Sequence, residues 1–205
     1  GGIGYVPASV ESPRDDYEAN LIGTFGILEA LRLSTKPSRL VLASSAAVYG
    51  DSGGELIGEG SQLSPVSPYG VSKLAADRYA AVYASLYGLW TASLRLFPVY
   101  GPRQKKQVVF DFVQKLSQDP EEIEAHGDGT QIRDFTYVED VARSALCVAQ
   151  KGALTGEVYN VGSGESCSTR ELLELLCELK DVRPRIRWSG EVRPGDSQKW
   201  VPDVS

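Results

Sequence analysis

Two short, mainly apolar runs lie on either side of a longer amphipathic stretch, and this order most constrains the fold. The runs cover residues 39–43 and 91–97. Runs of this length with few polar residues are typical of strands buried in a parallel sheet. Between them, residues 68–87 repeat apolar side chains at helical spacing, and Gly88 follows as a helix-ending residue. Strand, helix and strand in this order predict a parallel α/β sheet.

Tyr69 and Lys73 lie four residues apart near the start of the predicted helix. Side chains at this spacing share a helix face, with Cβ atoms roughly 5–6 Å apart. An ammonium group beside a phenol favours the phenolate, so we expect Lys73 to lower the pKa of Tyr69. The pair predicts a general base with a supporting cation, although the same spacing also occurs in tyrosines and lysines without a catalytic role.

Composition excludes several classes of function. The formal net charge is −6 and no basic cluster is longer than Lys105-Lys106, so we expect no nucleic-acid partner. No apolar run approaches the ~18 residues of a membrane span, and we expect no membrane partner. His126 is the only histidine, and we interpret it as a bystander, with no metal site. Cys147, Cys167 and Cys177 are interpreted as reduced, buried thiols of a cytoplasmic protein, because their spacing fits no metal site.

The remaining segments continue the alternation of helices and strands. Helical spacing covers residues 14–33, 108–116 and 139–150, whereas 134–138 and 157–162 are predicted to be extended. Ser168 and Glu171 form a capping box ahead of a leucine-rich helix. Gly23 and Gly26 predict close packing of the first helix. Residues 5–13 and most of 183–205 are predicted to be loop, and 119–124 an exposed acidic patch.

Short motifs follow one another along the whole chain. They are Asn20-Leu-Ile-Gly-Thr24, Ser44-Ser45-Ala-Ala-Val-Tyr-Gly50, Ser67-Pro-Tyr69-Gly-Val-Ser-Lys73, Arg95-Leu-Phe-Pro-Val-Tyr-Gly101, Gly127-Asp-Gly-Thr-Gln-Ile-Arg133-Asp134, Tyr159-Asn-Val-Gly-Ser-Gly164 and Arg193-Pro-Gly-Asp196. In this order they resemble the extended short-chain dehydrogenases/reductases that modify nucleotide sugars, such as UDP-glucose 4-epimerase. Each motif alone is weak, and their shared order carries the resemblance.

The resemblance implies a Rossmann-like, doubly wound parallel sheet with a small α/β C-terminal substrate lobe. Residues 1–104 would belong to the NAD-binding domain and 105–205 to the lobe, with about 130–165 returning to the first domain. Relative to the family, the glycine-rich turn that binds pyrophosphate is absent. We therefore expect a fragment truncated at both ends that binds NAD poorly by itself.

The resemblance also implies roles for individual residues. Tyr69 would be the catalytic base, with Lys73 supporting it and Ser45 positioning the reacting oxygen. NAD would lie against Ser44, Tyr69, Lys73, Phe97 and Val99. The nucleotide-diphosphate sugar would contact Ser45, Arg133, Arg193 and Asp196, with the two arginines on the diphosphate. Both arginines also fit ordinary surface positions. Asn20 would fix the backbone near the site, and Asp134 would be a ligand or a structural acceptor.

The implied activity is NAD-dependent epimerisation of a nucleotide-diphosphate sugar through a 4-keto intermediate, in a homodimer. Three alternatives stay open: a 4-keto-sugar reductase, a dehydratase or decarboxylase of the same family, and a non-catalytic remnant that binds sugar nucleotides. Dehydratases of this family carry Asp and Glu where this chain has Ala46 and Ala47. Pro98 stands where the family usually has an Asn that contacts the sugar nucleotide. The base, the sugar and the choice of NAD or NADP stay open.

Overall fold

A computed structural model describes residues 2, 4–191 and 197–204. Its helices are α1 (Val6–Glu11), α2 (Pro13–Asp16), α3 (Gly23–Leu33), α4 (Pro68–Tyr87), α5 (Gln107–Gln118), α6 (Val138–Lys151) and α7 (Thr169–Lys180), with a π-helical segment at Tyr17–Ile22 and a 3₁₀ turn at Ala46–Val48. Its strands are β1 (Arg39–Ser45), β2 (Trp90–Leu96), β3 (Val99–Tyr100), β4 (Glu122–Ala125), β5 (Ile132–Asp134), β6 (Thr136–Tyr137), β7 (Thr155–Val161), β8 (Ser166–Ser168), β9 (Arg185–Trp188) and β10 (Lys199–Trp200).

A parallel sheet with the strand order β1–β2–β7 forms the centre of the molecule. Arg39 is paired with Trp90 and Ser45 with Leu96, so that β1 and β2 end at the same edge. Helices α4 and α6 pack against this sheet. Parallel strands connected through helices confirm the predicted α/β class.

The prediction that β1 is a buried strand is only partly right. The strand is parallel, but Ala43 is exposed and residues 40–42 are half-buried. The reason is its position, because among the described residues β1 pairs with β2 alone and forms an edge of the sheet. Burial becomes complete only at the carboxyl end, at Ser44 and Ser45.

Helix α4 has the bounds that the sequence predicts, and Gly88 ends it in the left-handed region with φ of 65°. The predicted helix 14–33 is present as α2, the π-helical segment and α3. The close packing predicted at its glycines is not seen within the described residues: no heavy atom lies within 4 Å of a Cβ built on Gly26, and for Gly23 the nearest is the Glu18 carbonyl oxygen at 3.8 Å. Residues 6–11, predicted to be loop, form α1 with Pro7 in its first turn.

Two other segments predicted to be irregular form strands. Part of the acidic patch becomes β4 and part of the tail becomes β9, and the two pair in parallel with Ile123 opposite Ile186. Ile123 and Ala125 are buried, while Glu124 between them is exposed. A two-residue alternation of this kind is the mark of a strand, which the excess of acidic residues obscured.

Helices α5 and α7 pack against each other and enclose an apolar core with β4, apart from the central sheet. This core contains Phe112, Leu116, Ile123, Leu172 and Leu173. Strand β7 lies in the central sheet, far along the chain from β1 and β2. The division into residues 1–104 and 105–205 stays a prediction.

The three cysteines are free thiols, but only Cys177 is buried. Cys147 on α6 is exposed and Cys167 is half-buried. The prediction of buried thiols is therefore wrong for Cys147.

Candidate active site

The carboxyl end of β1 places two serines at the edge of the central sheet. Ser45 begins the 3₁₀ turn, and its Oγ accepts a hydrogen bond from the Ala47 N–H at 3.2 Å. Ser44 is 2% exposed, and its Oγ has no hydrogen-bond partner among the described residues. A buried hydroxyl without a partner is costly, so an unpaired Ser44 at this edge marks a position where a ligand can supply the missing contact.

The first turn of α4 brings Tyr69 to the same edge. Ser67 caps the helix by accepting the Gly70 N–H at 3.1 Å, and Pro68 occupies the first helical position. The Tyr69 N–H, which has no partner inside the helix, donates to Ser9 Oγ of α1 at 3.1 Å. Ser9 is fully buried, so α1 fixes the backbone of Tyr69.

Burial raises the pKa of the Tyr69 phenol above its usual value, and a hydrogen bond from Ser45 acts in the opposite direction. The expected fall in this pKa is therefore wrong for the structure as it stands, because the desolvation of a phenolate outweighs the effect of the Ser45 hydroxyl. At neutral pH the Tyr69 hydroxyl carries its proton.

Lys73 lies next to the tyrosine, as the spacing predicts. Its Nζ is 5.7 Å from the centre of the Tyr69 ring and donates to the Ala43 carbonyl at 2.9 Å. Burial lowers the pKa of the Lys73 ammonium group, and the negative charges of Asp77 and Asp16 oppose that change. The contact with Ala43 ties α4 to the last residues of β1.

A buried polar network lies beneath the first turns of α4, and the sequence did not reveal it. The Ser72 hydroxyl is 2.6 Å from Asp16 Oδ2, and Asn20 Nδ2 donates to Asp16 Oδ1 at 2.8 Å. The Thr24 hydroxyl donates to the Asn20 carbonyl at 2.7 Å. The Asn20 side chain thus contacts Asp16, and the prediction that it fixes the backbone near the site stays a prediction. Asp16 is 1% exposed, and the sequence does not predict this burial because it depends on tertiary packing.

A cavity of about 700 Å³ opens at this edge of the sheet. Its walls include six residues that the sequence assigns to the site: Ser44, Ser45, Tyr69, Phe97, Val99 and Arg133. Lys73 is not part of the wall, although it contacts Tyr69. Arg193 and Asp196, the other two predicted substrate ligands, lie outside the described residues.

Arg133 is mostly buried in the cavity wall, with its guanidinium group 5.0 Å from the centre of the Trp200 ring. It donates to the carbonyls of Ile132, Ser197 and Gln198. These contacts hold β5 against β10, so Arg133 has a structural role here. Binding of a diphosphate by Arg133 stays a prediction.

Asp134 proves to be a structural acceptor. It is fully buried, and its two oxygens accept the N–H groups of Ser163 and Gly164, each at 2.7 Å. The sequence left both a ligand role and a structural role open for Asp134, and these contacts support the structural role. This carboxylate fixes the turn after β7.

The cavity extends to residues that the sequence left unassigned. His126 and Gln131 line it, and the imidazole Nδ1 is 4.0 Å from a carboxylate oxygen of Glu191. His126 had been interpreted as a bystander, because a single histidine carries no recognisable spacing. Lys106 also lines the wall, with its ammonium group 5.2 Å from the centre of the Tyr5 ring.

A second buried network supports the sheet away from this cavity. The Arg95 guanidinium donates to Asp77 Oδ2 at 3.0 Å and to the Tyr49 hydroxyl at 2.9 Å. Tyr49 in turn donates to the Asn160 side chain at 2.7 Å. Arg95 and Asp77 are both almost fully buried, so this ion pair links α4 to β2.

In the part of the chain that the structure describes, no group of three or more His, Cys, Asp or Glu side chains is arranged to hold a metal ion. No helix among these residues is long and apolar enough to span a membrane.

Comparison with known families gives one matching family model. Residues 1–162 match the NAD dependent epimerase/dehydratase family. The match includes Ser45, Tyr69 and Lys73 and ends just after β7.

Individual relatives include both epimerases and dehydratases. A putative UDP-glucose 4-epimerase of Methanocaldococcus jannaschii is 36% identical over 96% of this chain and 68% of its own length. A dTDP-glucose 4,6-dehydratase of Neisseria meningitidis is 31% identical over 97% of this chain and 59% of its own length. The chain spans only part of the length of its curated relatives, between 56% and 68% for these two and a third one.

A solved structure supports the same fold. The UDP-glucose 4-epimerase of Thermus thermophilus in complex with NAD superposes with a TM-score of 0.88 at 34% identity. The superposition covers 99% of this chain and 67% of the other. The Rossmann-like fold predicted from the motifs is therefore confirmed.

Proposed function

The chain belongs to the NAD-dependent epimerase/dehydratase family, and from that premise we propose that the complete protein epimerises a nucleotide-diphosphate sugar through a 4-keto intermediate. The observation that carries this proposal is that Ser45 and Tyr69 together line a cavity of about 700 Å³, with Lys73 Nζ 5.7 Å from the centre of the Tyr69 ring. A cavity of this size accommodates a small organic ligand. UDP-glucose or a close analogue is the substrate that we propose.

Tyr69 is the group that moves a proton to or from a sugar hydroxyl oxygen. Burial raises the pKa of its phenol, so Tyr69 must first lose its proton to solvent; as a phenolate it accepts the proton of the sugar hydroxyl, and it returns that proton when the keto oxygen becomes a hydroxyl again. The Ser45 hydroxyl orients the reacting oxygen, since Ser45 and Tyr69 line the same cavity. Lys73 supplies a positive charge 5.7 Å from the ring, which stabilises a developing phenolate.

The residues present at this edge fit the nicotinamide end of NAD. Ser44 offers a buried hydroxyl without a protein partner, and Phe97 and Val99 give the wall an apolar surface for a ring. Gly2 adds space, since a Cβ there would lie 3.7 Å from Lys73 Nζ and 2.3 Å from Asn20 Oδ1. Ser44, Tyr69, Lys73, Phe97 and Val99 would therefore hold this end of the cofactor. When bound, NAD supplies hydride transfer.

The cavity wall favours a polar substrate. Besides Tyr69 and Ser45 it includes Arg133, His126 and Gln131. We propose that the sugar lies at Tyr69 and the diphosphate near Arg133. A guanidinium has five N–H donors, so Arg133 can bind phosphate oxygens while keeping part of its contacts to the backbone.

Ala46 and Ala47 favour epimerisation over dehydration. They follow Ser45 directly, are 1% and 3% exposed, and belong to the apolar core of the 3₁₀ turn. The resemblance to the family places the Asp and Glu of dehydratases at these positions. An alanine transfers no proton, and general acid–base catalysis contributes typically 10²–10⁴-fold. A 4-keto-sugar reductase needs only Ser45, Tyr69 and Lys73 and stays as the second candidate.

The decisive experiment is incubation of the complete protein with NAD and, separately, UDP-glucose and dTDP-glucose. We expect interconversion of the gluco and galacto forms, followed by chromatography or by the anomeric proton signals in NMR. The absorbance of 4-keto-6-deoxy sugars in alkali should not rise. A strong alkaline absorbance would contradict the epimerase, and turnover only of a 4-keto sugar with reduced cofactor would favour the reductase.

A further inference from the structure

Trp200 lies where two parts of the cavity wall meet. It is 9% exposed, lines the cavity, and belongs to the same apolar cluster as the 3₁₀ turn at Ala46–Val48. Strand β10 places it opposite Arg133 of β5. An indole has a ring face that attracts cations and one N–H group that donates a hydrogen bond. In this protein both parts of the Trp200 side chain are in use.

The indole N–H group of Trp200 holds the turn that Ser45 begins. Trp200 Nε1 donates to the Gly50 carbonyl at 2.7 Å, although the two residues are 150 positions apart in the chain. Gly50 has a φ of 69°, and a Cβ at this position would clash with the Ser64 carbonyl oxygen, so its backbone has little room to move. The hydrogen bond from Trp200 therefore fixes the far end of a turn that has Ser45 at its start.

The ring face of Trp200 contacts Arg133, which lines the same cavity. The centre of the ring lies 5.0 Å from the guanidinium carbon. The guanidinium nitrogens also donate to the carbonyls of Ser197 and Gln198. A planar guanidinium that is stacked on a ring and bonded to backbone carbonyls has a defined orientation. The indole ring thus helps to set the direction in which Arg133 faces the cavity.

The backbone around Trp200 is held independently of the indole. The Ile57 N–H donates to the Val201 carbonyl at 2.9 Å, and the Asp203 N–H donates to the Ile57 carbonyl at 2.9 Å. These bonds fasten residues 197–203 to the loop that follows the 3₁₀ turn. Replacement of the indole alone therefore leaves β10 in place, and its effect can be assigned to the two contacts of the side chain.

We infer that Trp200 is a positioning residue with two separable roles. Its N–H group keeps Ser45 in place for the reaction, and its ring keeps Arg133 in place for an anionic group of the ligand. The inference rests on the proposed function for what Ser45 and Arg133 do. If Trp200 only filled the core, its replacements would change stability without separating the rate from binding.

Two variants of the complete protein separate the two contacts. Trp200→Phe keeps an aromatic ring and removes the N–H group. We expect its kcat to fall roughly 10-fold or more, because misplacement of a catalytic group by about 1 Å can cost on the order of 10²-fold, while the Kd for UDP stays at the wild-type value. Trp200→Leu removes the ring as well and should also weaken UDP binding roughly tenfold. Trp188→Phe is the matched control, because the Trp188 N–H group has no partner among the described residues, and both quantities should match the wild type.

Hydrogen exchange at the Ala47 and Tyr49 amides measures the order of the turn without turnover. These amides donate to Ser45 Oγ and to the Ala46 carbonyl, and they should exchange faster in Trp200→Phe than in the wild type or in Trp188→Phe. Unchanged exchange in Trp200→Phe overturns the role of the N–H group, and so does an unchanged kcat.

The ring has its own decisive outcomes. Equal UDP affinities of Trp200→Phe and Trp200→Leu overturn its role, and so does a wild type that does not bind UDP. If Trp200→Leu does not fold, Trp200→Met takes its place with the same expectations. A wild type that binds UDP but shows no turnover would contradict the proposed function, and the exchange rates and UDP affinities would then decide the inference by themselves.

Discussion

The Lys73 ammonium group lies 5.7 Å from the centre of the Tyr69 ring and donates to the Ala43 carbonyl. One helical turn and one strand end are thereby joined by a single side chain. Because Ser45 ends the same strand and lines the same cavity as Tyr69, the relative positions of the three groups depend on how α4 packs against β1.

Tyr69→Phe should abolish turnover by the complete protein while sparing the binding of the nucleotide sugar. Only the proton-transferring hydroxyl is lost, and general acid–base catalysis is worth roughly 10²–10⁴-fold. The measurement is the epimerisation rate together with calorimetric binding of UDP-glucose. Tyr5→Phe, which removes another hydroxyl from the cavity wall, is the control and should keep most of the rate. More than a tenth of the wild-type rate in Tyr69→Phe would rule out Tyr69 as the base.

Asp77→Ala should destabilise the fold strongly. The Arg95 and Asp77 side chains are 2% and 1% exposed, and removal of one partner leaves the other charge buried. Breaking a buried ion pair in this way costs about 3–5 kcal/mol. Urea denaturation measures the change in the free energy of unfolding. Glu18→Ala breaks the exposed pair with Arg14 and should cost less than about 1 kcal/mol. Equal costs for the two variants would contradict this account.

The positions of Ser45, Tyr69 and Lys73 could be predicted from the sequence because their spacing is local. Tyr69 and Lys73 share one helix whose cap, Ser67, and end, Gly88, are visible in the chain. Ser45 follows an apolar strand directly, and parallel strands end at a common edge, so the meeting of the two elements needs no further information.

The direction of the Tyr69 pKa and the environment of Asp16 could not be predicted, because both depend on burial. Local spacing shows that an ammonium group is near a phenol, but it does not show how much water surrounds them. The position of His126 in the cavity wall could not be predicted either, because it depends on the pairing of β4 with β9. The strand β4 itself was missed because its outward-facing glutamates dominate a segment whose inward positions are only Ile123 and Ala125.

The lowered pKa of Glu29 predicts that the fold loses stability at low pH. Arg32, followed by the hydroxyl of Tyr83, lowers the pKa of Glu29 from 4.5 to about 2. A lowered pKa in the folded state stabilises the fold above pH 4.5, and this contribution is lost as the pH falls from 4.5 to about 2. Thermal unfolding between pH 2 and pH 5 should therefore be less pH-dependent in Glu29→Gln than in the wild type. Glu174→Gln on α7 is the control, and an unchanged pH dependence in Glu29→Gln would contradict the prediction.

The exposed faces of α3 and α4 predict a homodimer. Phe25, Tyr79, Val82 and Leu86 are 38% to 67% exposed, and the rings of Phe25 and Tyr79 are in edge contact at 5.6 Å. A contiguous apolar face of this kind is typical of an interface between two copies of a chain. Light scattering should give twice the monomer mass for the wild type and the monomer mass for Leu86→Glu. Leu179→Glu, at an equally exposed position on α7, should stay dimeric. A monomeric wild type would contradict the prediction.

Gly70→Ala should separate the catalytic groups. A Cβ at position 70 would lie 2.6 Å from the Ala47 carbonyl oxygen and 2.9 Å from the Pro65 Cβ. The Ala47 oxygen belongs to the backbone of the turn that Ser45 begins, so it cannot rotate away as a side chain would. The start of α4 must therefore move, and Tyr69 moves with it away from Ser45. Misplacement of a catalytic group by about 1 Å can cost on the order of 10²-fold in rate, and overpacking costs about 1–3 kcal/mol of stability.

Gly58→Ala is the matched control, because nothing lies within 4 Å of its Cβ and it should change neither quantity. The turnover rate and the free energy of unfolding in urea are measured for both variants and for the wild type. Wild-type turnover in Gly70→Ala would show that the contact between α4 and the end of β1 does not set the geometry of the site.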